Sequence, residues 1–322
     1  MKKRPELKEL FVERMSELLK DKNDLKKYLE ILNIQPVNSI RCNKLKISPE
    51  KLLKRLKENY NWKINQPWKD YPEVMIVESN LMPGELGRAT EHLLGYYYIQ
   101  ELSSMLPIIA LKPQPHEKIL DLCASPGSKT TQTASEMGNT GLIIANEKSL
   151  GRIKILASNL ERCGVTNTII TLEDGIKLCK ELHKEKIKFD KILVDAPCSG
   201  EGTLRSSLAT YRMWSINTVK ALSKIQRKLF SSAFEILENG GQIIYSTCTH
   251  APEEDEEIVD YALKEFKEKI KIEQIKIPVV SRPGIQKWKE KEYSEEVKYA
   301  CRIYPHDNNT EGFFLTKFTK IK

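Results

Sequence analysis

From residue 106 onward, β-rich apolar runs alternate with stretches of helical spacing, and this alternation constrains the fold more than any other feature of the chain. Strands are predicted over 118–124, 141–147, 167–172, 189–195, 241–247, 270–276 and 312–319. Helices are predicted between them over 127–137, 149–163, 174–184, 216–238 and 253–269. Strands joined by helical crossovers pair in parallel, with helices covering the sheet. The expected fold is α/β: a Rossmann-like, doubly wound sheet of seven strands. Glu238-Asn239-Gly240-Gly241 reads as a helix stop before the fifth strand. The stretch 277–311, rich in Pro, Lys and Glu, reads as an irregular excursion before the last strand.

The first hundred residues follow another pattern. Leu7, Leu10, Phe11, Met15, Leu18 and Leu19, then Leu25, Tyr28, Leu29 and Leu32, recur at helical spacing up to Pro36. Ser48-Pro49-Glu50 places Ser at an N-cap and Pro at the first helical position, and strands are predicted within 37–47 and at 74–77. The sequence therefore divides into a small α+β module with a linker, 1–105, and a larger domain, 106–322. Residues 1–90 carry 19 Lys and Arg against 13 Asp and Glu, most of the chain's net charge of +8. This suggests a polyanion gripped from one side, with Arg41, Lys44 and Lys46 as candidate phosphate contacts. Seven scattered cysteines, an odd number without a C-x-x-C pair, argue against a disulfide framework or a zinc site and for a reducing cytoplasm. No apolar run approaches the ~20 residues of a membrane span, and the charged start lacks the apolar segment of a secretory signal. No metal, membrane or obligatory protein partner is expected.

In such a sheet, ligands sit beyond the C-terminal strand ends. The first strand ends in Asp121-Leu122-Cys123-Ala124-Ser125-Pro126-Gly127-Ser128-Lys129-Thr130, small residues that let a ligand approach the backbone at a helix N-terminus. This matches neither G-x-x-x-x-G-K-[ST] nor G-x-G-x-x-G, which argues against an NTPase and a nicotinamide dehydrogenase. Glu147 closes the second strand, where an acid can take both ribose hydroxyls. Asp174 follows the third, where an acid can accept from an exocyclic amine, and Asp195 ends the fourth. Three acids in succession around a Gly-Ser loop form an adenosyl pocket. Two apolar runs end in Cys198 and Cys248, and both thiols are expected to face the same crevice as Asp195. Two thiols beside an acid suit covalent catalysis; motif order leaves open which one attacks.

The chain resembles the Nol/Nop/Sun (Fmu) family of S-adenosylmethionine-dependent RNA cytosine-5 methyltransferases, of the archaeal tRNA/rRNA type. The matching stretches are Asp121 to Thr130, Asp195-Ala196-Pro197-Cys198-Ser199-Gly200-Glu201-Gly202-Thr203, Ser246-Thr247-Cys248, Pro252 to Glu256 and Gly312-Phe313-Phe314. Ser39 to Asn43 and Gln100 to Ser104 resemble the family's N-terminal and linker signatures. The resemblance implies that Cys123, Ala124, Ser125, Pro126, Gly127, Ser128 and Lys129 wrap the methionine end of S-adenosylmethionine. It further implies that Glu147 binds the ribose with support from Arg152, that Asp174 holds the adenine, and that Asp195 lies between cofactor and base. Cys248 would attack C6 of cytosine, Cys198 would help release the product, and the N-terminal module would be an RRM-like RNA-binding element. Ser128, Glu147 and the Thr249-His250 pair depart from the common pattern, the last of these beside the nucleophile. The expected activity is cytosine-5 methylation of RNA, with tRNA preferred over rRNA because the N-terminal module is compact and the chain ends soon after its last strand. A DNA cytosine methyltransferase would lack the second strand-end cysteine. A non-catalytic RNA-binding or ribosome-assembly factor with a vestigial pocket would not keep Lys129, Glu147, Asp174, Asp195, Cys198 and Cys248 together.

Overall fold

The computed structural model describes residues 5–321. Its contacts gather into two compact units. One comprises Val37–Asp195 and Ser232–Ile244; the other comprises the residues up to Pro36, Ala196–Ser231 and the residues from Tyr245 on. The strand Leu237–Thr247 runs from the first unit into the second.

In the first unit, Lys118–Asp121 pairs in parallel with Leu142–Asn146 on one side and with Phe189–Asp195 on the other; Ile119 lies opposite both Ile143 and Lys191. Thr168–Thr171 extends the sheet beyond Leu142–Asn146, and Leu237–Thr247 beyond Phe189–Asp195. In chain order the strands run 3-2-1-4-5, the Rossmann order, with its crevice where strands one and four diverge. Ile119, Leu120, Ile143, Ala145, Ile192, Leu193 and Val194 are buried, as expected for strands covered on both faces.

The same unit holds a small four-stranded antiparallel sheet, ordered Ile64–Asn65, Val74–Val77, Asn38–Cys42, Tyr97–Ile99. With the helix Pro49–Tyr60 and two short turns of helix at Glu85–Arg88 and Thr90–Leu93, the chain path is β-α-β-β-α-β, the topology of an RRM. The Ser48 hydroxyl accepts from Lys51 N–H at the start of that helix, and Asn61 in the left-handed region ends it. Ile40 and Cys42 on one face of the sheet pack with Leu52 and Leu56 of the helix. Alternation turns Ser39 and Arg41 to the other face.

In the second unit, Phe313–Lys320 pairs antiparallel with Ile270–Glu273 and with Cys301–Ile303, which in turn pairs with Arg282–Pro283. The helices Glu9–Leu19 and Lys22–Ile31 pack here, not with the small sheet. Phe11, Met15, Leu19, Tyr28 and Leu32 form one buried cluster with Leu204, Tyr211, Trp214 and Tyr304.

All seven expected strands form. Arg282–Pro283 and Cys301–Ile303 add two more within the stretch read as an excursion. The expected helix stop lies elsewhere: the helix Ile216–Glu235 ends before the glycines, because Ile236 already accepts from Phe189 N–H. Gly241 instead lets the strand pass close to Asp190, whose carbonyl oxygen would stand 2.9 Å from a Cβ there, while Gly240 supplies a left-handed φ of +79°. Among the described residues, no helix is long and apolar enough to cross a membrane.

Arg282 ties the second unit together. Its guanidinium donates to Asp24 at 2.5 and 2.9 Å and to both carboxylate oxygens of Asp307 at 2.8 Å, and His306 Nε2 lies 2.8 Å from Asp24. The hydrogen bond from Arg282 pulls the Asp24 carboxyl down to about 2. A lowered folded-state value stabilises the fold above the unfolded carboxylate value near 4, and that contribution is lost as pH falls toward 2. Arg282→Met is expected to lower unfolding free energy at neutral pH by about 1–3 kcal/mol and to flatten the loss between pH 4 and 2. Urea unfolding across this range measures both; wild-type values would show that the cluster contributes no stability.

Candidate active site

The first unit carries the residues of the expected adenosyl pocket. The loop Leu122–Gly127 leaves the first strand, is pinned where Ala124 N–H donates to Asn146 O at 2.8 Å, and turns at Gly127 (φ +99°) into the helix Ser128–Glu136. No side chain caps that helix, so its first-turn N–H groups are placed to receive a carboxylate. Ser125 and Arg152 are reciprocally bonded: the Ser125 hydroxyl donates to Arg152 O at 3.0 Å, and Arg152 Nη2 donates to Ser125 O at 2.7 Å. The same Arg152 nitrogen lies 3.4 Å from Glu147, whose buried carboxylate also accepts from Ser149 N–H at 2.9 Å. Asn146 cross-links the strand ends, donating to Leu122 O and Glu173 O and accepting from the Thr171 hydroxyl.

Asp174 caps the helix Gly175–Lys184, its Oδ1 accepting from the N–H groups of Ile176 and Lys177, and it is exposed. Lys129 Nζ sits 2.8 Å from Asp195 Oδ2 and donates to the Ser104 hydroxyl at 3.0 Å. Asp121 ends the first strand and accepts from the Thr130 hydroxyl at 2.7 Å; burial pushes its carboxyl up to about 7. Burial also pushes the Cys123 thiol up, so it stays protonated at neutral pH. A buried carboxylate at the second strand end, an uncapped helix start at the first and a cation–acid pair at the fourth fit S-adenosylmethionine, which has hydroxyls, a carboxylate and an amine to satisfy.

Of the expected phosphate contacts, Arg41 is withdrawn from the surface. Arg41 is buried. Its guanidinium donates to Ser128 O at 2.8 Å, to the Thr131 hydroxyl at 2.8 Å, to Gln132 and to Gln100, and it lies over the Tyr98 ring. Lys44 pairs with Glu136 at 2.8 Å and Glu73 at 3.5 Å, and Lys46 donates to the carbonyls of Arg162 and Leu94. Arg41 is an internal tie, whereas Lys44 and Lys46 make their contacts at the exposed surface. Tyr98 donates to Pro126 O in the loop, so the sheet face that an RRM offers to bases is covered here by the helix and loop after the first strand.

The second unit carries the two thiols. Cys198 Sγ and Cys248 Sγ lie 3.1 Å apart, hydrogen-bonded but not joined in a disulfide, and Cys248 N–H donates to Cys198 Sγ at 3.3 Å. The hydrogen bond with Cys248, followed by burial, pushes the Cys198 thiol well up, so Cys198 keeps its proton. The motifs around them interlock through backbone. Gly202 N–H donates to Cys248 O and Gly312 N–H to Gly202 O, both at 2.9 Å. A Cβ on Gly202 would stand 2.2 Å from Gly312 O and 2.9 Å from Cys248 O. His250 is buried, held neutral by burial, and stacks on Tyr304 with ring centroids 4.8 Å apart; it fills space beneath the Cys248 turn. Tyr211 and Trp214 are buried, Trp214 donating to Glu201 at 2.7 Å.

Sequence reasoning assigned no role to Ser104, Asn146 or Gln226. Ser104 stands in a stretch matched to the linker signature; nothing in the local pattern marks the other two.

Comparison with known proteins decides the family. Residues 108–319 match the family model of 16S rRNA methyltransferase RsmB/F, and residues 7–102 match the N-terminal domain of 16S rRNA methyltransferase RsmF. The chain belongs to the RsmB/F methyltransferase family. It is 39% identical over 282 residues to the tRNA (cytosine(49)-C(5))-methyltransferase of Pyrococcus abyssi, covering 88% of each chain. It is 36% identical over 318 residues to ribosomal RNA small subunit methyltransferase F of Erwinia tasmaniensis, covering 97% of this chain and 63% of that protein. It thus spans less than two thirds of the length of that relative. A methyltransferase homologue from Pyrococcus horikoshii superposes with a TM-score of 0.83 at 32% identity, covering 97% and 95% of the two chains. NSun6 from the same organism, solved with SFG, superposes at 0.82 with 25% identity, covering 98% of each.

Gly202→Ala is expected to lower the stability of this family member by about 1–3 kcal/mol, the usual cost of an overpacked site. It should also change the rate at which Cys248 reacts with iodoacetamide. Urea unfolding and peptide mass spectrometry measure the two effects; wild-type behaviour in both would show that the site accommodates a methyl group.

Proposed function

We propose that this chain is an RNA (cytosine-5)-methyltransferase that acts through a covalent bond between Cys248 and C6 of the target base. The observation that carries this reading is the pair of thiols 3.1 Å apart, at the ends of two separate motifs. Cytosine C5 is too weak a nucleophile to be methylated directly. Addition of the Cys248 thiolate at C6 makes C5 enamine-like, and protonation or hydrogen bonding at N3 by Asp195, with the Lys129 ammonium beside it, stabilises the negative charge that develops on the pyrimidine. When bound, S-adenosylmethionine supplies an electrophilic methyl group, its sulfonium taking the bonding electron pair. Cys123 to Lys129, Glu147, Arg152 and Asp174 would hold it. Once Cys248 is bonded to C6, its hydrogen bond no longer holds the proton on Cys198. Cys198 releases that proton to solvent and as a thiolate takes the proton from C5, the C5–C6 double bond re-forms, and the C6–sulfur bond breaks with its electron pair returning to Cys248. The target cytosine must leave its stack, which favours loops and single-stranded sites.

Within RNA, tRNA is the preferred substrate. The Pyrococcus abyssi relative, named for a tRNA cytosine, matches this chain over 88% of both lengths, whereas the small-subunit RNA relative named above is matched over 63% of its own. Residues 1–105 contribute to RNA binding, the small sheet within 38–99 by surfaces other than the face that Arg41 and Tyr98 occupy. The enzyme works in the cytoplasm.

Two measurements test the proposal. Glu147→Ala should weaken S-adenosylmethionine binding by about 1–3 kcal/mol, and so should Asp174→Asn, which preserves the helix cap; calorimetry giving unchanged affinity in both would remove this pocket. Cys248→Ala should abolish turnover and form no covalent adduct. Cys198→Ala should accumulate a protein–RNA complex that survives denaturing electrophoresis. An adduct in Cys248→Ala and none in Cys198→Ala would exchange the roles. Normal methylation in both would end the covalent reading.

A further inference from the structure

Cys198 is held by its neighbours. On one side of it, Pro197 O accepts from Gln226 Nε2 at 2.9 Å; on the other, Ser199 N–H donates to Glu254 Oε2 at 3.0 Å. Gln226 Nε2 also donates to Glu254 Oε2 at 2.8 Å, closing a ring from one peptide, through two side chains, to the other. Both side chains are fully buried. A third tie joins the Ser199 hydroxyl to that of Thr249, the residue after Cys248, at 2.8 Å. The backbone at Glu254 is fixed in turn, its carbonyl accepting from the Tyr245 hydroxyl at 2.5 Å.

A buried carboxylate is a costly way to anchor a turn, since desolvation opposes its charge. Burial pushes Glu254 up to about 7, and the nearby Glu201 pushes the same way. The adjoining acids are neutralised separately: Glu253 by Arg14 at 2.7 Å, and Glu256 by Arg302 at 2.5 Å with Asp255 3.8 Å away. Glu254 therefore directs its oxygen at the Cys198 peptide and at Gln226. The placement is asymmetric, because the ring encloses Cys198 and leaves out Cys248.

We infer that Glu254, with Gln226, is a positioning residue for Cys198: the ring fixes the thiol for product release and leaves attack by Cys248 unaffected. The inference rests on the release role proposed for Cys198. The test uses the full chain, S-adenosylmethionine with a labelled methyl group, and a tRNA transcript that the wild-type protein methylates. Single-turnover methyl transfer and decay of the protein–RNA adduct on denaturing gels are followed separately. Glu254→Leu and Gln226→Leu should each keep cofactor affinity and transfer rate close to wild type while slowing adduct decay about tenfold or more. Glu254→Gln, which retains an oxygen for Ser199 N–H, should restore decay most of the way. In the Cys198→Ala background, Glu254→Leu should add no further slowing, because it acts through the missing thiol. Wild-type decay in both leucine variants would overturn the inference. So would further slowing in the double variant, or equal loss of transfer and release in both leucine variants, the mark of a merely structural role. If Cys198→Ala alone accumulates no adduct while the wild-type protein methylates C5, the release role itself falls, an outcome distinguished by its appearance without any change at Glu254.

Discussion

The buried guanidinium of Arg41 is the contact on which the geometry of the cofactor loop depends. It carries a full charge at neutral pH, although burial pulls its pKa down to about 10. Its hydrogen bonds go to carbonyl, hydroxyl and amide oxygens, several of them on the first turn of the helix Ser128–Glu136. That turn follows directly on the loop Cys123–Gly127, so the small sheet and the loop are fixed by one planar fork of donors. Tyr98 extends the seam, stacking under Arg41 and bonding Pro126. A sheet that in other settings stacks bases serves here as the wall against which a ligand loop is set.

Acidic residues dominate both functional regions, and each is balanced locally. At the strand ends, Glu147 is met by Arg152 and Asp195 by Lys129. Around the thiols, Glu253 and Glu256 are met by Arg14 and Arg302. Burial pushes up the carboxyls of Asp121, Glu201 and Glu254.

Much of this was legible in the sequence where the signal is local. Phe189–Asp195 and Val74–Val77 appear with the predicted ends because contiguous apolar residues meet turn formers on either side. The helix cap at Ser48 and the acids at the strand ends were legible for the same reason. What escaped depends on partners far away in the chain. Gly240-Gly241 carries the pattern of a helix stop but serves a strand approaching Asp190. Arg41, Lys44 and Lys46 carry the pattern of a basic patch, yet each finds acceptors within the chain. Gln226 lies in mid-helix among ordinary polar residues, and only its fold partners Pro197 and Glu254 give it a role.

The cluster that seats the first two helices has a bearing on biosynthesis. Phe11 and Met15 pack with Leu204 and Trp214, and with Tyr304 near the opposite end of the chain. On a ribosome adding about 5–20 residues per second, these apolar faces wait roughly 15–60 seconds for their last partner to be made. The sheet from Lys118 to Asp195 is complete in sequence well before then. Nascent chains therefore pass through a stage with an ordered central sheet and an unsatisfied amphipathic leader, a natural client for a holding chaperone and a point at which slowed translation would favour aggregation.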